Sequence, residues 1–484
     1  MKKQEWLEAL ERSGRRGYPD SVHRSGDTLC AMVQTPEGKR LAAEGPAAAG
    51  FEGVQQGKVR LCGLTERNAA VLMSLFPETA PTVNRDGGFS MGLGDRLGLA
   101  TPGHVQAVAE YRVFPVFAQQ SMRELHLTGR TYRRVIADAC FGVFQSGYAG
   151  GYGADGDHLK TPEEIALALD SGCSMITLDC SERMCPDAAG RTGDGLRSAY
   201  LELPPELRQR LEARYLQCEL PCVGVMGREQ LERAAVMFWK AVEHAVACYG
   251  RILTAGRAVD FELSIDESPA ETTPAEHFFV ANELRLAGVR LTSLAPHFCG
   301  RFEKGVDYRG DLEQFRQELV VHQAIAGHFG YRLSLHSGSD KFSVFPAFGA
   351  VTGCRAHVKT AGTSWLEAMG ALAAGAPALF RQALEFAMTH RARAEAYYHV
   401  SGTVQEMVPP GRRSDAELPQ YLQEDAARQT IHIMYGCLLA EPWFREAFFA
   451  WMEREEAQYG MALTRHIRRH LEALGVPKRT GITM

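Results

Sequence analysis

From about residue 88 the chain alternates between short runs of β-forming residues and longer stretches with apolar residues three and four apart. The runs are GGFSMGLG (87–94), VFPVFAQ (113–119), GGYGADGDH (150–158), CSMITLDC (173–180), VDFELSID (259–266), GVRLTSLAPH (288–297), YRLSLHSG (331–338) and RAHVKTAG (355–362). Helical stretches such as TPEEIALALDSG and DLEQFRQELVVHQAIAGHFG lie between them. Strand–helix alternation predicts a parallel sheet. Eight runs predict that the sheet closes into an α/β fold of the (β/α)8 TIM-barrel type. An open doubly wound sheet would use fewer strands and a switch point.

The pattern inside the runs says where chemistry would sit. In VDFELSID, Asp260, Glu262, Ser264 and Asp266 share one face, and Val259, Phe261, Leu263 and Ile265 the other, because strand side chains alternate. Arg332, Ser334 and His336 repeat this against Tyr331, Leu333 and Leu335. A barrel turns its apolar face to the helices, so the polar face points inward. Buried polar rows are costly unless paired or coordinated, which predicts a site at the strand ends.

The chain divides into three regions around these runs. Residues 1–80 read as an N-terminal elaboration, with a helical start and then turns and short strands. Residues 81–375 read as the catalytic barrel, with an insertion at 181–258 after strand four that carries a Pro-rich loop and helical stretches. Residues 376–484 read as a C-terminal helical extension with apolar spacing of three and four.

Composition narrows the function classes. The 484 residues are 45% hydrophobic and 23% charged, an ordinary globular balance. A net charge of −5 with no basic stripe argues against a nucleic-acid partner. No stretch of about 18 apolar residues is present, so no bilayer span is expected. The start, MKKQEWLEALERSGRRGYP, lacks the apolar centre of a secretion signal, and a cytoplasmic location follows. The twelve cysteines form no CxxC pair and no zinc-ribbon spacing, so they read as reduced thiols.

His158, His297 and His336 each stand at the predicted carboxyl end of a strand, the face where barrel enzymes do chemistry. Any one alone is as readily a hydrogen-bonded structural histidine. Their shared placement favours a divalent cation held by three imidazoles, and nitrogen donors suit zinc, manganese, cobalt or nickel. Asp157 and Glu262 lie beside them and could act as a general base and acid. Lys160 and Lys341 are close enough in sequence to hold a substrate carboxylate. His357 shares a strand end with Lys359 and is a second-choice ligand or substrate contact. The glycine-rich GYAGGYGADG lacks both P-loop and dinucleotide spacing.

Read together, GADGDHLKT, DFELSID, APHFCGRFEKG, LSLHSGSDKFSVFP and HVKTAGTSWLEA resemble the motifs of the tagaturonate epimerase family. The resemblance spans about residues 85 to 370. It implies interconversion of D-tagaturonate and D-fructuronate, with Asp157 as proton acceptor, Glu262 as proton donor, and His158, His297 and His336 as metal ligands. Such an enzyme inverts a carbon β to a ketone, which simple enolisation cannot reach. Retro-aldol cleavage and re-addition can reach it, with Lys160, Lys341 or Arg301 on the uronate carboxylate. The implied partner is a small keto-uronate, and homo-oligomerisation stays open. Two rivals remain at this level: a metal-dependent aldolase or ketose isomerase on the same barrel, and a non-catalytic sugar-acid binding protein.

Overall fold

The computed structural model describes residues 3–479, apart from positions 217 and 269. Six short strands come first: β1 (Arg16–Gly17), β2 (His23–Ser25), β3 (Thr28–Thr35), β4 (Gly38–Glu44), β5 (Gly53–Gln56) and β6 (Val59–Cys62). They form an antiparallel sheet in the order β1-β3-β4-β6-β5, with β2 against β3. Alternation along β3 lets the sheet bury both faces. Leu29, Ala31 and Val33 pack with Trp6, Leu7 and Leu10 of the helix Lys3–Arg12. Cys30 and Met32 pack on the opposite side with Ala137, Cys140, Phe141 and Phe144 of the helix Tyr132–Gln145. The sheet is thereby fixed to the barrel's outer wall.

All eight predicted runs become strands: β7 (Ser90–Leu93), β8 (Phe114–Ser121), β9 (Gly153–Leu159), β10 (Met175–Asp179), β11 (Asp260–Ser264), β12 (Ser293–Ala295), β13 (Arg332–Leu335) and β14 (Ala356–Thr360). Each pairs in parallel with the next, and β14 pairs with β7, so the barrel closes. Helices start where the sequence provides caps. Ser121, Thr161 and Thr273 each accept from the third backbone N–H of their helix, and Glu124, Glu164 and Glu276 reach back to the cap, two donors satisfied per helix. The segment between β10 and β11 carries two short helices and the long helix Arg228–Leu253, which buries its apolar stripe, including Leu231, Phe238, Val242 and Ala245.

After the last barrel helix, Thr363–Gly375, the chain continues in helices that include Asp425–Ile433 and Glu456–Ala473. These return to the barrel. Buried Trp365 donates its indole N–H to the Ile431 carbonyl at 2.8 Å. Asp340, in the loop after β13, is gripped from the same side. It accepts from Arg428 at 2.7 Å and from His466 at 2.5 Å, and its backbone N–H donates to His470 at 3.0 Å. The second nitrogen of His466 faces Glu367 at 3.1 Å. His470 also donates to a helix carbonyl, so its two nitrogens are already occupied and this cluster of acid and imidazole is a clasp, not a cation site. No helix among the described residues is long and apolar enough to cross a membrane.

The clasp makes a pH prediction. Burial alone would lower the His466 pKa, but Asp340 and Glu367 outweigh burial and nearby Arg428 and raise it above 6.5. A raised histidine stabilises the fold fully below the unfolded value and ceases to do so as pH climbs through the folded one. A His466→Gln variant should therefore melt below wild type at pH 6, by a gap equivalent to roughly 1.5–3 kcal/mol for a charge-assisted bond. The gap should narrow as pH rises above 6.5. Calorimetry across pH 5.5–9 checks it, and a gap that widens with pH would contradict the charged clasp.

Candidate active site

The interior of the barrel is organised by one lysine. Lys359 of β14 points inward, and its ammonium lies 2.9 Å from Asp155, 2.7 Å from Asp157 and 2.9 Å from Glu262. It also donates to Thr177 of β10. Four strands thus converge on one cation that is 3% exposed. The three carboxylates do not behave alike. Burial, with help from Asp157 and Glu262, pushes Asp155 up to about 6 against the pull of Lys359. Burial would also raise Asp157, but Lys359, His158 and His336 hold it below the ordinary range. Glu262 is held well below its usual value in the same way, against burial, by Lys359 and His336. Removing the ammonium would leave buried charge uncompensated, at a cost of about 3–5 kcal/mol.

Above this cluster the backbone departs from regular strand. Between Ile176 and Leu178, β10 advances two residues while β9 advances three, from Gly156 to Leu159. The extra residue is a bulge, and His158 sits in it with φ of +51°, a conformation rare for a residue with a side chain. Ordinary alternation would send neighbours Asp157 and His158 to opposite faces. The bulge instead brings both to the cleft.

His158 meets His336 there, ring centroids 4.9 Å apart. One nitrogen of each, together with a carboxylate oxygen of Asp266, falls within 4.8 Å of the others. Asp266 lies 3.2 Å from Nδ1 of His336, while Nε2 of His336 lies 2.7 Å from Glu262. Against burial, Asp266 and Glu262 raise the His336 pKa to about 10. The buried Nδ1 atoms of His158 and His336 make no well-aligned hydrogen bond and face carboxylates, Asp179 at 3.7 Å and Asp266 at 3.2 Å. Imidazole nitrogens converging with a carboxylate in this way fit a first-row divalent cation. His158 also forms a second such group with Asp179 and Glu267.

The cleft is lined by Asp157, His158, His336 and Lys359, and also by Arg123, Lys304, Tyr398 and His432. Several predicted contacts need correction. His297, expected as the third imidazole, is not among the converging atoms; its Nδ1 donates to the Ser268 carbonyl at 2.9 Å. Lys341 reaches the cleft wall, but its ammonium is bound to the carbonyls of Glu303, Val306 and Ser339 at 2.9, 2.5 and 3.0 Å. With three donors satisfied and burial lowering it to about 7, it pins a loop and has no N–H left for a ligand. Arg301 is exposed beside Glu303, Lys160 pairs with Glu182 at 2.8 Å, and neither lines the cleft. His357 is fully buried on Ser90 at 2.8 Å, and burial drives its pKa down to about 3. It lies inside the barrel and does not line the cleft. Glu262 likewise is fully buried and reaches the cleft through Lys359 and His336.

Sequence reading passed over Lys359 as a centre, although it shares the inward parity of His357. It counted Asp266 as a carboxylate of the polar face without pairing it to His336. Gln119 and His432 carry no local signal at all.

A sequence profile of the tagaturonate epimerase family matches residues 18–474. A tagaturonate/fructuronate epimerase of Thermotoga maritima is 37% identical over 474 residues, covering 95% of this chain and 97% of that protein. A glycerol-complexed crystal structure of a fructuronate–tagaturonate epimerase from Cohnella laeviribosi superposes with a TM-score of 0.95 at 45% identity, covering 98% of this chain and 99% of that one. The native crystal structure of that protein gives 0.95 at 44% identity over the same shares. With agreement over nearly the whole length and a closed eight-stranded barrel, this chain belongs to the tagaturonate epimerase family, a family of carbohydrate epimerases.

Proposed function

We propose that this enzyme interconverts D-tagaturonate and D-fructuronate by retro-aldol chemistry, with a divalent cation held by His158, Asp266 and His336. The observation that carries the reading is the convergence of one nitrogen each of His158 and His336 with a carboxylate oxygen of Asp266, next to an ionised carboxylate, Asp157, that lines the same cleft. Two nitrogens and an oxygen suit zinc, manganese, cobalt or nickel. When bound, the ion supplies Lewis-acid stabilisation of the charge that develops on the ketone oxygen.

The chain's own residues handle the protons. Asp157 takes the proton of the hydroxyl on the carbon to be inverted. The bond between that carbon and its neighbour on the ketone side breaks, and its electron pair moves toward the ketone. The inverted carbon becomes an aldehyde, turns over, and is attacked again on its other face, where the new alkoxide takes back the proton that Asp157 received. No C–H bond breaks. While the aldehyde turns, that proton can be held on Glu262, because Lys359 touches both carboxylates, at 2.7 and 2.9 Å. Its ammonium can release one proton to either carboxylate and accept one from the other. Glu262 is thus the buried end of a relay whose open end is Asp157. A cytoplasmic location belongs to this reading, supported by twelve free cysteines, the state of thiols in a reducing compartment.

Asp157→Asn should lower kcat by about two orders of magnitude or more with metal content unchanged, measured by NMR of the two keto-uronates and by elemental analysis. His336→Ala should lose both metal and turnover, and wild-type rates surviving exhaustive chelation would refute the cation. In D2O, product NMR should show the inverted carbon still carrying its original hydrogen. Deuterium at that carbon would reject cleavage in favour of direct deprotonation.

A further inference from the structure

Five cations line the cleft, and three are already matched. Lys359 faces its three carboxylates. Arg96 is paired with Glu124 at 2.9 Å and lies 3.9 Å from the ring centre of Tyr435. Lys341 is bound to three carbonyls. Lys304 and Arg123 differ. Among the described residues, Lys304 donates to the Ser337 hydroxyl at 2.8 Å, and Arg123 donates to the Tyr397 carbonyl at 3.1 Å and rests 4.5 Å from the ring centre of Tyr398. Neither makes an ion pair with a described carboxylate.

That corner is built, not incidental. Ser337, which holds Lys304, adopts φ of +51° directly after His336, a strained backbone of the kind that collects at functional sites. Burial and then the neighbouring Arg123 both depress the Lys304 pKa, as desolvation and a nearby like charge do to an ammonium. The same cleft is lined by two buried polar side chains with nothing to bond. Both amide atoms of Gln119 and both ring nitrogens of His432 lack partners, and each residue is 1% exposed. Glycines make room for them, since a Cβ at Gly92 would collide with the Gln119 amide and one at Gly362 with the His432 ring. Unpaired buried polar groups are costly, and a ligand with an anionic end and several hydroxyls would relieve both deficits.

We propose that Lys304 and Arg123 bind the carboxylate of the substrate while Gln119 and His432 bond its hydroxyls, an assignment that rests on the keto-uronate reading above. In a keto-uronate the carboxylate and the ketone occupy opposite ends of the carbon chain, so the anion needs a cation distinct from the group at His158 and His336. In the retro-aldol route the carboxylate stays on the aldehyde fragment. Anchoring it keeps that fragment in the cleft while the aldehyde carbon turns.

The test is steady-state kinetics with D-tagaturonate on metal-loaded protein. Lys304→Met should raise KM at least about tenfold while changing kcat much less, with metal content and melting temperature as in wild type. Lys304→Arg should recover most of the loss, and Arg123→Met should raise KM by a smaller factor because that side chain is partly solvated. A KM within twofold of wild type in Lys304→Met would overturn the assignment. So would a loss confined to kcat, or failure of arginine to rescue. If wild-type protein with metal leaves D-tagaturonate unchanged, the functional reading falls and this assignment with it. If wild type is active and only the Lys304 pattern fails, the carboxylate subsite alone is wrong.

Discussion

A single ammonium inside a dry barrel must serve three carboxylates, and much of the interior follows from that. Lys359 lies within 3 Å of Asp155, Asp157 and Glu262. One positive charge cannot neutralise three negative ones at low dielectric. Asp155 is the member pushed toward the protonated form, which leaves Asp157 and Glu262 ionised. Asp266 adds a further carboxylate near His336. The surplus of negative charge on this side of the interior is what a divalent cation at His158, Asp266 and His336 would balance, so the proton chemistry and the ion belong to one electrostatic problem.

The backbone solves a second problem, that of aiming two neighbours in one direction. A regular strand can present either Asp157 or His158 to the cleft, never both. The bulge in β9 removes the restriction at the price of a left-handed histidine. Strain of this kind persists only where the surroundings impose it. Here the imposing partners are β8 and β10, which hold β9 on both edges.

Much of this was legible in the sequence, for physical reasons that also mark where legibility ends. The eight runs were readable because strand periodicity is local, and the inward parity of Glu262 and His336 came with it. His158 stood out by lying at a strand end, although the bulge that turns it inward leaves no mark in the pattern. Lys160, Lys341 and Arg301 take other partners, because nearness to a strand end in sequence does not fix where a long side chain finds its partner. Lys341 found three carbonyls and Lys160 found Glu182. His297 shows the same limit: the strand end was right, but its ring nitrogen turned to Ser268. Lys304 lies between APHF and the loop that follows, with no periodic signal, and His432 arrives from a helix more than a hundred residues after His297.

That arrival has a further meaning. The barrel contributes Asp157, His158, His336 and Lys359 to the cleft, whereas Tyr398 and His432 come from the C-terminal appendage that the Asp340 clasp ties down. The cleft wall is therefore shared between two distant stretches of one polypeptide. A substitution in the appendage can reshape that wall while every barrel strand stays as it is.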